Sequence, residues 1–311
     1  MKLLRLFLAG CALAAVRPAP AAEAPPAAGT ATSPAAPATR PIDWNAKAAP
    51  WGPLRNAPAN AQQKTPFKVF DNVYYVGLQT VAAYLVPTSD GLVLFDATYA
   101  YTADQVLANV RTLGFDPKQI KYILISHAHG DHFAGAGAIV QATGAKVVMS
   151  ALDWDGTERQ QARNPAANGV HLTRDVVAED GGSLKVGDTT FKFYVTPGHT
   201  AGALTVEFQA RDGARSYRAL CPGGLGFNFG PEWTGPYLKS HARLKQLGPW
   251  ETVLPNHAYM GPRDLFAVEK DLATRGNASH PAVYGSAKID AWLDQIMKAA
   301  GEKLAYEQKP Q

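Results

Sequence analysis

The chain has 311 residues, 46% of them hydrophobic, which predicts one large or two small domains with a substantial core. The formal net charge is only +4, and part of it precedes the predicted folded region, which excludes the basic footprint of a nucleic-acid-binding protein. The two cysteines are Cys11 and Cys221, and since the first falls in a predicted targeting segment, an internal disulfide in the folded part is excluded.

Residues 1–22 are typical of an export signal. Two basic residues are followed by an apolar stretch and by Ala-Pro-Ala at 19–21, a small-residue cleavage site. The apolar stretch is too short and too interrupted to form a stable membrane span. Leu-Ala-Gly before Cys11 also resembles a bacterial lipoprotein box, in which the cysteine carries a lipid anchor. We therefore expect a periplasmic or secreted protein, anchored or free; a disordered Ala-rich tail without a targeting role is the alternative.

Residues 23–64 are rich in Ala and Pro and contain few large apolar residues, so they are predicted to form a flexible linker. The folded domain is predicted over 65–311. A helix is expected at 102–114, where Thr102 and Gln105 form a capping box. The other predicted helices lie at 137–143, 263–274 and 285–300, and the predicted strands at 67–70, 73–77, 82–86, 91–96, 122–125, 146–149, 189–195, 203–208, 217–220 and 253–254. This mixture predicts a layered α/β fold with a β-rich N-terminal half.

Five of the eight histidines fall in one pattern, H-x-H-x-D-H followed by two distant histidines. Its residues are His127, His129, Asp131, His132, His199 and His257. The motif and both distant histidines follow strand-like runs, and strand ends of a layered α/β fold meet at one edge, where ligands bind. Imidazole nitrogens and carboxylate oxygens are zinc ligands. Histidines two apart can share one metal while the Asp and the adjacent His turn toward a second, so the pattern predicts a two-zinc hydrolase.

The alternative is that these are ordinary core or surface histidines, which is the better interpretation for any one of them alone. Six metal-binding side chains in one pattern favour the metal site. The other three histidines lack this context. We expect His171 and His241 at the surface, and we keep His280 as a candidate for the rim of the site.

Two further segments carry a family resemblance. Thr196-Pro-Gly-His199-Thr is similar to the T-P-G-H-T segment of the metallo-β-lactamase superfamily, and Asp180-Gly-Gly-Ser-Leu-Lys-Val-Gly resembles its E-D-G-D-x-L-x-L-G stretch. Together with the histidine motif, the resemblance covers roughly residues 67–300. Among true β-lactamases it is greatest with the third subclass of class B. It implies the superfamily fold, an αββα sandwich of two mixed β-sheets flanked by helices.

The resemblance also implies two Zn²⁺ ions per chain and a small-molecule substrate. The first zinc would be held by His127, His129 and His199, and the second by Asp131, His132 and His257. Two zinc ions can share a hydroxide at neutral pH, and this hydroxide would open the β-lactam ring. Asp131 would act in catalysis by holding the second zinc and orienting the nucleophile. The implied role is antibiotic resistance, and export suits it because β-lactams act in the periplasm.

The chain departs from the pattern near the end of the predicted strand at 217–220. Superfamily members outside the β-lactamases often carry a bridging Asp there, and one β-lactamase subclass has a metal-binding Cys. Here the position holds Cys221, which is interpreted as an inert buried thiol or as a soft zinc ligand. Asn228 is a candidate oxyanion donor or a loop-stabilising residue. Tyr259 and Tyr284 either shape a pocket rim or simply pack.

Three alternatives to a β-lactamase stay open. A lactone, ester or thioester hydrolase of the same superfamily is the first, although it usually carries the bridging Asp. A nuclease would need an inserted domain or basic patches, which the sequence lacks. A zinc-binding module without turnover would be expected to have lost a ligand, whereas all six positions are filled. The serine route is disfavoured because S-x-x-K and G-x-S-x-G are absent from the sequence.

Overall fold

The computed structural model describes residues 54, 57–164, 170–227 and 229–309. The predicted signal peptide of residues 1–22, the predicted lipidation site Cys11 and most of the predicted linker lie outside the described residues. Within the described part, no helix combines the length and the apolar character needed to cross a membrane.

The described strands form two mixed β-sheets. The first sheet has seven strands side by side in chain order: β1 (Phe67–Phe70), β2 (Val73–Tyr75), β3 (Tyr84–Thr88), β4 (Gly91–Phe95), β5 (Ile120–Leu124), β6 (Lys146–Ser150) and β7 (Val176–Ala178). The second sheet is built from five strands: β8 (Ser183–Val186), β9 (Thr189–Val195), β10 (Leu204–Asp212), β11 (Arg215–Cys221) and β12 (Thr252–Val253). Strands β1 to β4 are antiparallel and β4 to β7 parallel. In the second sheet, only β12 runs parallel to its neighbour, β11.

Helices flank the two sheets. They are α1 (Ala103–Thr112), α2 (Gly130–Phe133), α3 (Ala136–Thr143), α4 (Ala151–Arg163), α5 (Pro231–Leu247), α6 (Leu265–Thr274) and α7 (Ser286–Glu307). Apolar residues of α1, α3 and α4 form one core with the first sheet, and those of α5 and α7 form another with the second sheet. A third core lies between the sheets. The predicted αββα sandwich is therefore confirmed.

Strand β4 shows how the sequence produces these layers. Successive side chains of a strand point to opposite faces, so a strand buried on both sides is apolar throughout. Val93 and Phe95 enter the core between the sheets. Leu92 and Leu94 enter the core beneath the helices. The uninterrupted apolar run therefore reflects a strand in the middle of the sandwich, and its carboxyl end lies inside the molecule.

The start of α1 differs from its prediction. The helix begins at Ala103, close to the expected position, but the capping box is wrong. The Thr102 hydroxyl lies 2.8 Å from that of Thr98 and donates to the Tyr99 carbonyl, while the Gln105 amide donates to the Ala59 carbonyl. Both side chains therefore bond to neighbouring segments of the chain and do not accept from the backbone N–H groups in the first turn of α1.

The folded part begins earlier than residue 65. Gln62, which lies within the predicted linker, is fully buried. Its amide nitrogen donates to the Ala57 carbonyl at 3.0 Å and to the Tyr101 hydroxyl at 2.8 Å. Its amide oxygen accepts from the Thr80 hydroxyl at 2.5 Å. The Ala-rich composition concealed this residue, because a single buried polar side chain leaves no periodic signal.

Two of the three remaining histidines lie elsewhere than predicted, while His171 is exposed as expected. His241 is buried on α5, where its Nδ1 donates to the Tyr237 carbonyl, and burial lowers its pKa to about 4. His280 is buried as well. Its ring stacks on Phe70 with centroids 4.0 Å apart, and its Nε2 donates to the Val69 carbonyl. His280 is therefore a core residue.

The core between the sheets gives a stability prediction. The Phe208 ring is almost fully buried and packs against the rings of Phe95 and Phe191, with centroids 5.6 and 5.5 Å away. Phe208→Ala should lower the free energy of unfolding by about 3–5 kcal/mol, because it removes buried apolar contacts and leaves a cavity. Urea denaturation followed by circular dichroism measures the change. Leu152→Ala, at an exposed position on α4, is the control and should change the free energy of unfolding by no more than about 0.5 kcal/mol.

Candidate metal centre

The ends of three strands bring the predicted site residues together. The H-x-H-x-D-H motif follows β5 of the first sheet, His199 follows β9 of the second, and His257 follows β12 of the second. The motif runs through the loop after β5 into the short helix α2. All six residues meet at this edge of the sandwich, as their positions after strands predicted.

One group of side chains combines both sheets. Its members are His127, His129 and His199, and they offer nitrogen atoms that all lie within 4.8 Å of one another. The Nε2 atoms of His127 and His199 are 2.9 Å apart. The His129 ring centroid is 4.7 Å from the centroids of both other rings. The three imidazoles therefore converge on one point.

A second group lies directly beside the first. His127, Asp131 and His132 also offer ligand atoms within 4.8 Å of one another. Asp131 Oδ2 lies 3.5 Å from His132 Nε2 and 3.9 Å from His257 Nε2. The Nε2 atoms of His132 and His257 are 3.3 Å apart. His257 therefore lies beside Asp131 and His132.

The loop that carries His199 owes its shape to a glycine. Gly198 has φ of +135°, a conformation that side chains rarely adopt. A Cβ atom at this position would lie 2.4 Å from the Tyr237 Cα of α5. The Pro197-Gly198 pair therefore turns the chain sharply out of β9 and lets it pass against α5, so that His199 faces the motif.

Hydrogen bonds at Nδ1 fix which nitrogen of each ring carries its proton. A carbonyl accepts only from N–H, so donation at Nδ1 leaves a lone pair on Nε2 of a neutral ring. The three acceptors at the end of these bonds are the Gly226 carbonyl for His199 at 2.7 Å, the Thr80 carbonyl for His257 at 2.7 Å and Asp96 Oδ2 for His132 at 2.8 Å. Such partners are typical of metal-bound histidines, whose second nitrogen is oriented in this way.

The pair His127 and His199 tests whether the site fits a cation. The Ser126 hydroxyl donates to Asp96 and lies 2.9 Å from His127 Nδ1, so it accepts from that nitrogen. His127 and His199 then both present an Nε2 lone pair, and these lone pairs face each other at 2.9 Å. Two acceptors at this distance repel unless a cation lies between them. The His and Asp groups therefore fit metal ions.

Burial keeps most of these imidazoles neutral. It lowers the pKa of His127 and of His199 well below the usual range, and the positive charges of neighbouring histidines add to the effect. Burial likewise lowers the pKa of His257 to about 4. Burial alone would raise the pKa of Asp131, but the charges of His132 and His257 outweigh it and bring the value to about 2. At pH 7 His127, His199 and His257 are therefore neutral and Asp131 is ionised, the forms that bind metal.

Asp96 is a site residue that the sequence analysis missed. It is buried at the end of β4, with φ of +56°. It accepts from the Ser126 backbone N–H at 2.7 Å, from the Ser126 hydroxyl at 2.8 Å and from His132 Nδ1. Burial lowers the pKa of His132, but the Asp131 and Asp96 carboxylates outweigh this effect and raise it. An acidic residue directly after a buried apolar strand was the available signal.

The remaining predicted residues have different fates. Asn228 lies outside the described residues. Cys221 is buried in the core between the sheets, and burial together with the Asp96 charge raises the pKa of its thiol well above the usual range. Within the described part of the chain, neither metal-fitting group includes Cys221. Tyr284 packs in the core beneath α7, whereas the Tyr259 ring lies 5.7 Å from that of His257.

An aromatic residue that the sequence analysis did not identify borders the site on the other side. The Phe229 ring centroid lies 5.1 Å from that of His199 and 6.4 Å from that of His129. Phe229 follows the glycine-rich segment after β11, in which no periodic pattern marks an individual residue. The two histidine groups therefore lie between an aromatic ring beside His199 and another beside His257.

The Asp96 contacts lead to a prediction about metal affinity. Asp96→Asn should weaken metal binding about 10- to 100-fold, because an amide cannot accept from both Ser126 and His132 at the same two atoms. Competition with a fluorescent zinc chelator measures the affinity. Asp104→Asn, at an exposed position on α1, is the matched control. Wild-type affinity in the Asp96 variant would contradict this role.

Comparison with known proteins gives a consistent family assignment. Residues 76–215 match the family model described as the metallo-beta-lactamase superfamily. The chain is 30% identical over 147 residues to a hydroxyacylglutathione hydrolase of Jannaschia sp. (strain CCS1), covering 47% of this chain and 51% of that protein. It is 31% identical over 150 residues to the hydroxyacylglutathione hydrolase of Cereibacter sphaeroides (strain ATCC 17025), covering 48% and 52%. The chain thus spans about half the length of these curated relatives.

Solved structures match over a greater length. Native FEZ-1 metallo-beta-lactamase from Legionella gormanii has a TM-score of 0.71 and 27% identity, covering 80% of this chain and 98% of that one. BJP-1, a subclass B3 metallo-beta-lactamase of Bradyrhizobium japonicum, has a TM-score of 0.69 and 23% identity, covering 79% and 96%. The second likeness bears on the fold alone.

Proposed function

The chain belongs to the metallo-beta-lactamase superfamily, and on this premise we propose that it is a β-lactamase that uses two zinc ions to open the β-lactam ring. The site already described supports a metallo-hydrolase with histidine-rich candidate metal sites. The observation that carries the β-lactamase proposal is the set of donors, three histidines beside Asp131, His132 and His257, within a fold that covers almost all of FEZ-1.

The residues divide between two metal positions. The proposed ligands of the first zinc are His127, His129 and His199, and those of the second are Asp131, His132 and His257. Imidazole and carboxylate donors suit zinc, and a catalytic zinc keeps a position open for water or substrate. Bound zinc would supply a Lewis acid and would make water a nucleophile at neutral pH.

The protein's own groups prepare the reaction. The Thr80 and Gly226 carbonyls orient His257 and His199, so their Nε2 lone pairs do not turn away from the centre. The pKa of Asp131 is about 2, so its carboxyl group is ionised at neutral pH. Its Oδ2 would accept a hydrogen bond from the attacking water. Phe229 packs beside His199 and would exclude water from that side. The substrate carbonyl would therefore meet groups that are already oriented.

The choice of a β-lactam over other carbonyl substrates rests on two supports. The likeness to FEZ-1 extends over 98% of that chain, whereas the likeness to the hydroxyacylglutathione hydrolases extends over about half of theirs. The end of β11 also holds Cys221, a buried thiol, where hydrolases outside the β-lactamases often carry a bridging Asp. Both supports favour a donor set without a bridging carboxylate.

A thioester hydrolase is the second candidate. Sequence identity favours it, because two hydroxyacylglutathione hydrolases match this chain at 30–31%. The chemistry is related, since a thioester and a β-lactam are both attacked at a carbonyl carbon. In either case the partner is a small molecule.

We further propose that the protein is exported to the periplasm or secreted, where β-lactams act, and that Cys11 is a candidate lipid anchor.

A substrate panel distinguishes the two candidates. Zinc-loaded full-length protein should hydrolyse at least one of a penicillin, a cephalosporin and a carbapenem. The loss of the lactam absorbance measures this hydrolysis. Chelation should remove the activity and added zinc should restore it, because the metal supplies the nucleophile. A lactone and a glutathione thioester complete the panel. Hydrolysis of these two alone would overturn the β-lactamase proposal.

Asp131 gives a second test of the mechanism. Asp131→Ala should reduce kcat by at least about 10²-fold, because it removes both a metal ligand and the acceptor for water. Its circular dichroism spectrum should match that of the wild type, since the side chain is partly exposed. Glu302→Ala, at an exposed position on α7, is the control and should retain full activity. Wild-type kcat in Asp131→Ala would remove this residue from the mechanism.

A further inference from the structure

Asp153, in the first turn of α4, is a buried carboxylate outside the metal-fitting groups. Only 2% of the residue is exposed. Its Oδ2 accepts from the Ala128 backbone N–H at 2.8 Å and from the Thr200 hydroxyl at 2.7 Å. Its Oδ1 accepts from the Gly202 backbone N–H at 2.8 Å. Three donors therefore satisfy one buried negative charge, and all three come from loops rather than from the helix itself.

These donors belong to the two loops that carry the first histidine group. Ala128 is the residue between His127 and His129. Thr200 directly follows His199, and Gly202 lies two residues further on. The two loops emerge from different sheets, so no strand pairing holds them in register with each other. Asp153 bonds to both of them and thereby fixes the distance across which His127 faces His199.

Close packing also holds the two loops against α4. The Gln160 side chain, two turns further along α4, donates to the Ala128 carbonyl, so the helix holds both polar groups of this residue. The Ser150 hydroxyl at the start of α4 donates to the Gly202 carbonyl at 2.6 Å. A Cβ atom at Gly202 would lie 2.1 Å from that hydroxyl oxygen. The second loop is therefore packed against the start of α4 without space for a side chain.

We propose that Asp153 is a positioning residue for the first metal position, setting the separation of the loops that bear His127, His129 and His199. Asp96 contacts His132 directly and His127 through the Ser126 hydroxyl, and both of these histidines follow β5. Asp153 instead joins the residues beside His127 and His129 to those beside His199, on the loop after β9. This inference rests on the proposed metallo-hydrolase function but not on the identity of the substrate.

Asp153→Asn tests the proposal with almost no change in volume. An amide nitrogen placed at Oδ1 would face the Gly202 N–H, and one placed at Oδ2 would face the Ala128 N–H. In either orientation one backbone donor loses its acceptor, since two N–H groups cannot bond to each other. Whichever way the amide turns, one of the two loops therefore loses its backbone hydrogen bond to residue 153. Asp155→Asn is the matched control, because Asp155 is on the same helix but pairs with Arg174 at the surface.

The readout is metal binding rather than turnover. Stepwise chelator competition gives the two zinc affinities, and the absorption spectrum of the cobalt-substituted protein reports the geometry at each position. Asp153→Asn should lose affinity for one metal about 10- to 100-fold, with an altered cobalt spectrum, while the second metal keeps wild-type affinity. Asp155→Asn should match the wild type in both measurements. Unchanged affinities in Asp153→Asn, or an equal loss at both positions, would overturn the proposal.

Thr200→Val keeps the test decisive if Asp153→Asn fails to fold. It removes one donor to Asp153 and leaves the carboxylate and both backbone bonds in place. It should weaken the same metal position by a smaller factor, and Thr200→Ser should restore the affinity. Wild-type affinity in Thr200→Val, with Asp153→Asn unfolded, would assign Asp153 to the fold alone. Failure of the β-lactam panel would leave these binding results intact, so the two proposals can fail separately.

Discussion

Two buried imidazole nitrogens that face each other are the constraint around which the centre is arranged. His127 and His199 both present lone pairs, and their hydrogen bonds at Nδ1 prevent either ring from turning a proton toward the other. Burial makes protonation of either ring unfavourable. Two lone pairs at this distance repel, and a cation between them removes the repulsion, so the arrangement suits a metal ion.

The two sheets contribute unequally to this arrangement. The first sheet supplies the whole H-x-H-x-D-H motif through the loop after β5, and the second supplies His199 and His257 from separate strand ends. Buried carboxylates compensate for the lack of strand pairing between the sheets. Asp96 holds the loop after β5 and the His132 ring, and Asp153 connects the loops after β5 and β9. The layered fold brings the ligands near one another, and these side chains set the final distances.

The sequence predicted the sandwich and the six clustered residues because both leave regular signals. Apolar runs mark buried strands, and metal-binding side chains recur directly after them. The sequence did not predict helices α4 and α5, for two different reasons. Helix α4 is mostly polar, and α5 contains Gly235-Pro236, a pair that indicates a turn. Asp96 and Asp153 were missed because a carboxylate that accepts from a distant backbone N–H has no partner recognisable in the sequence. The Ser150-x-x-Asp153 spacing was the one available sign that a helix begins there.

The burial of Gln62 sets a limit on how far the N-terminal region can be shortened. This side chain supports the Thr80 hydroxyl, and the Thr80 carbonyl in turn receives the proton of His257 Nδ1. Recombinant protein that starts at the composition boundary near residue 65 would lack Gln62. The Thr80 hydroxyl would then lose its acceptor, and the segment whose carbonyl orients His257 would be less well held. Expression trials that trim the Ala- and Pro-rich leader should therefore stop before Ala57, the residue whose carbonyl anchors the Gln62 amide.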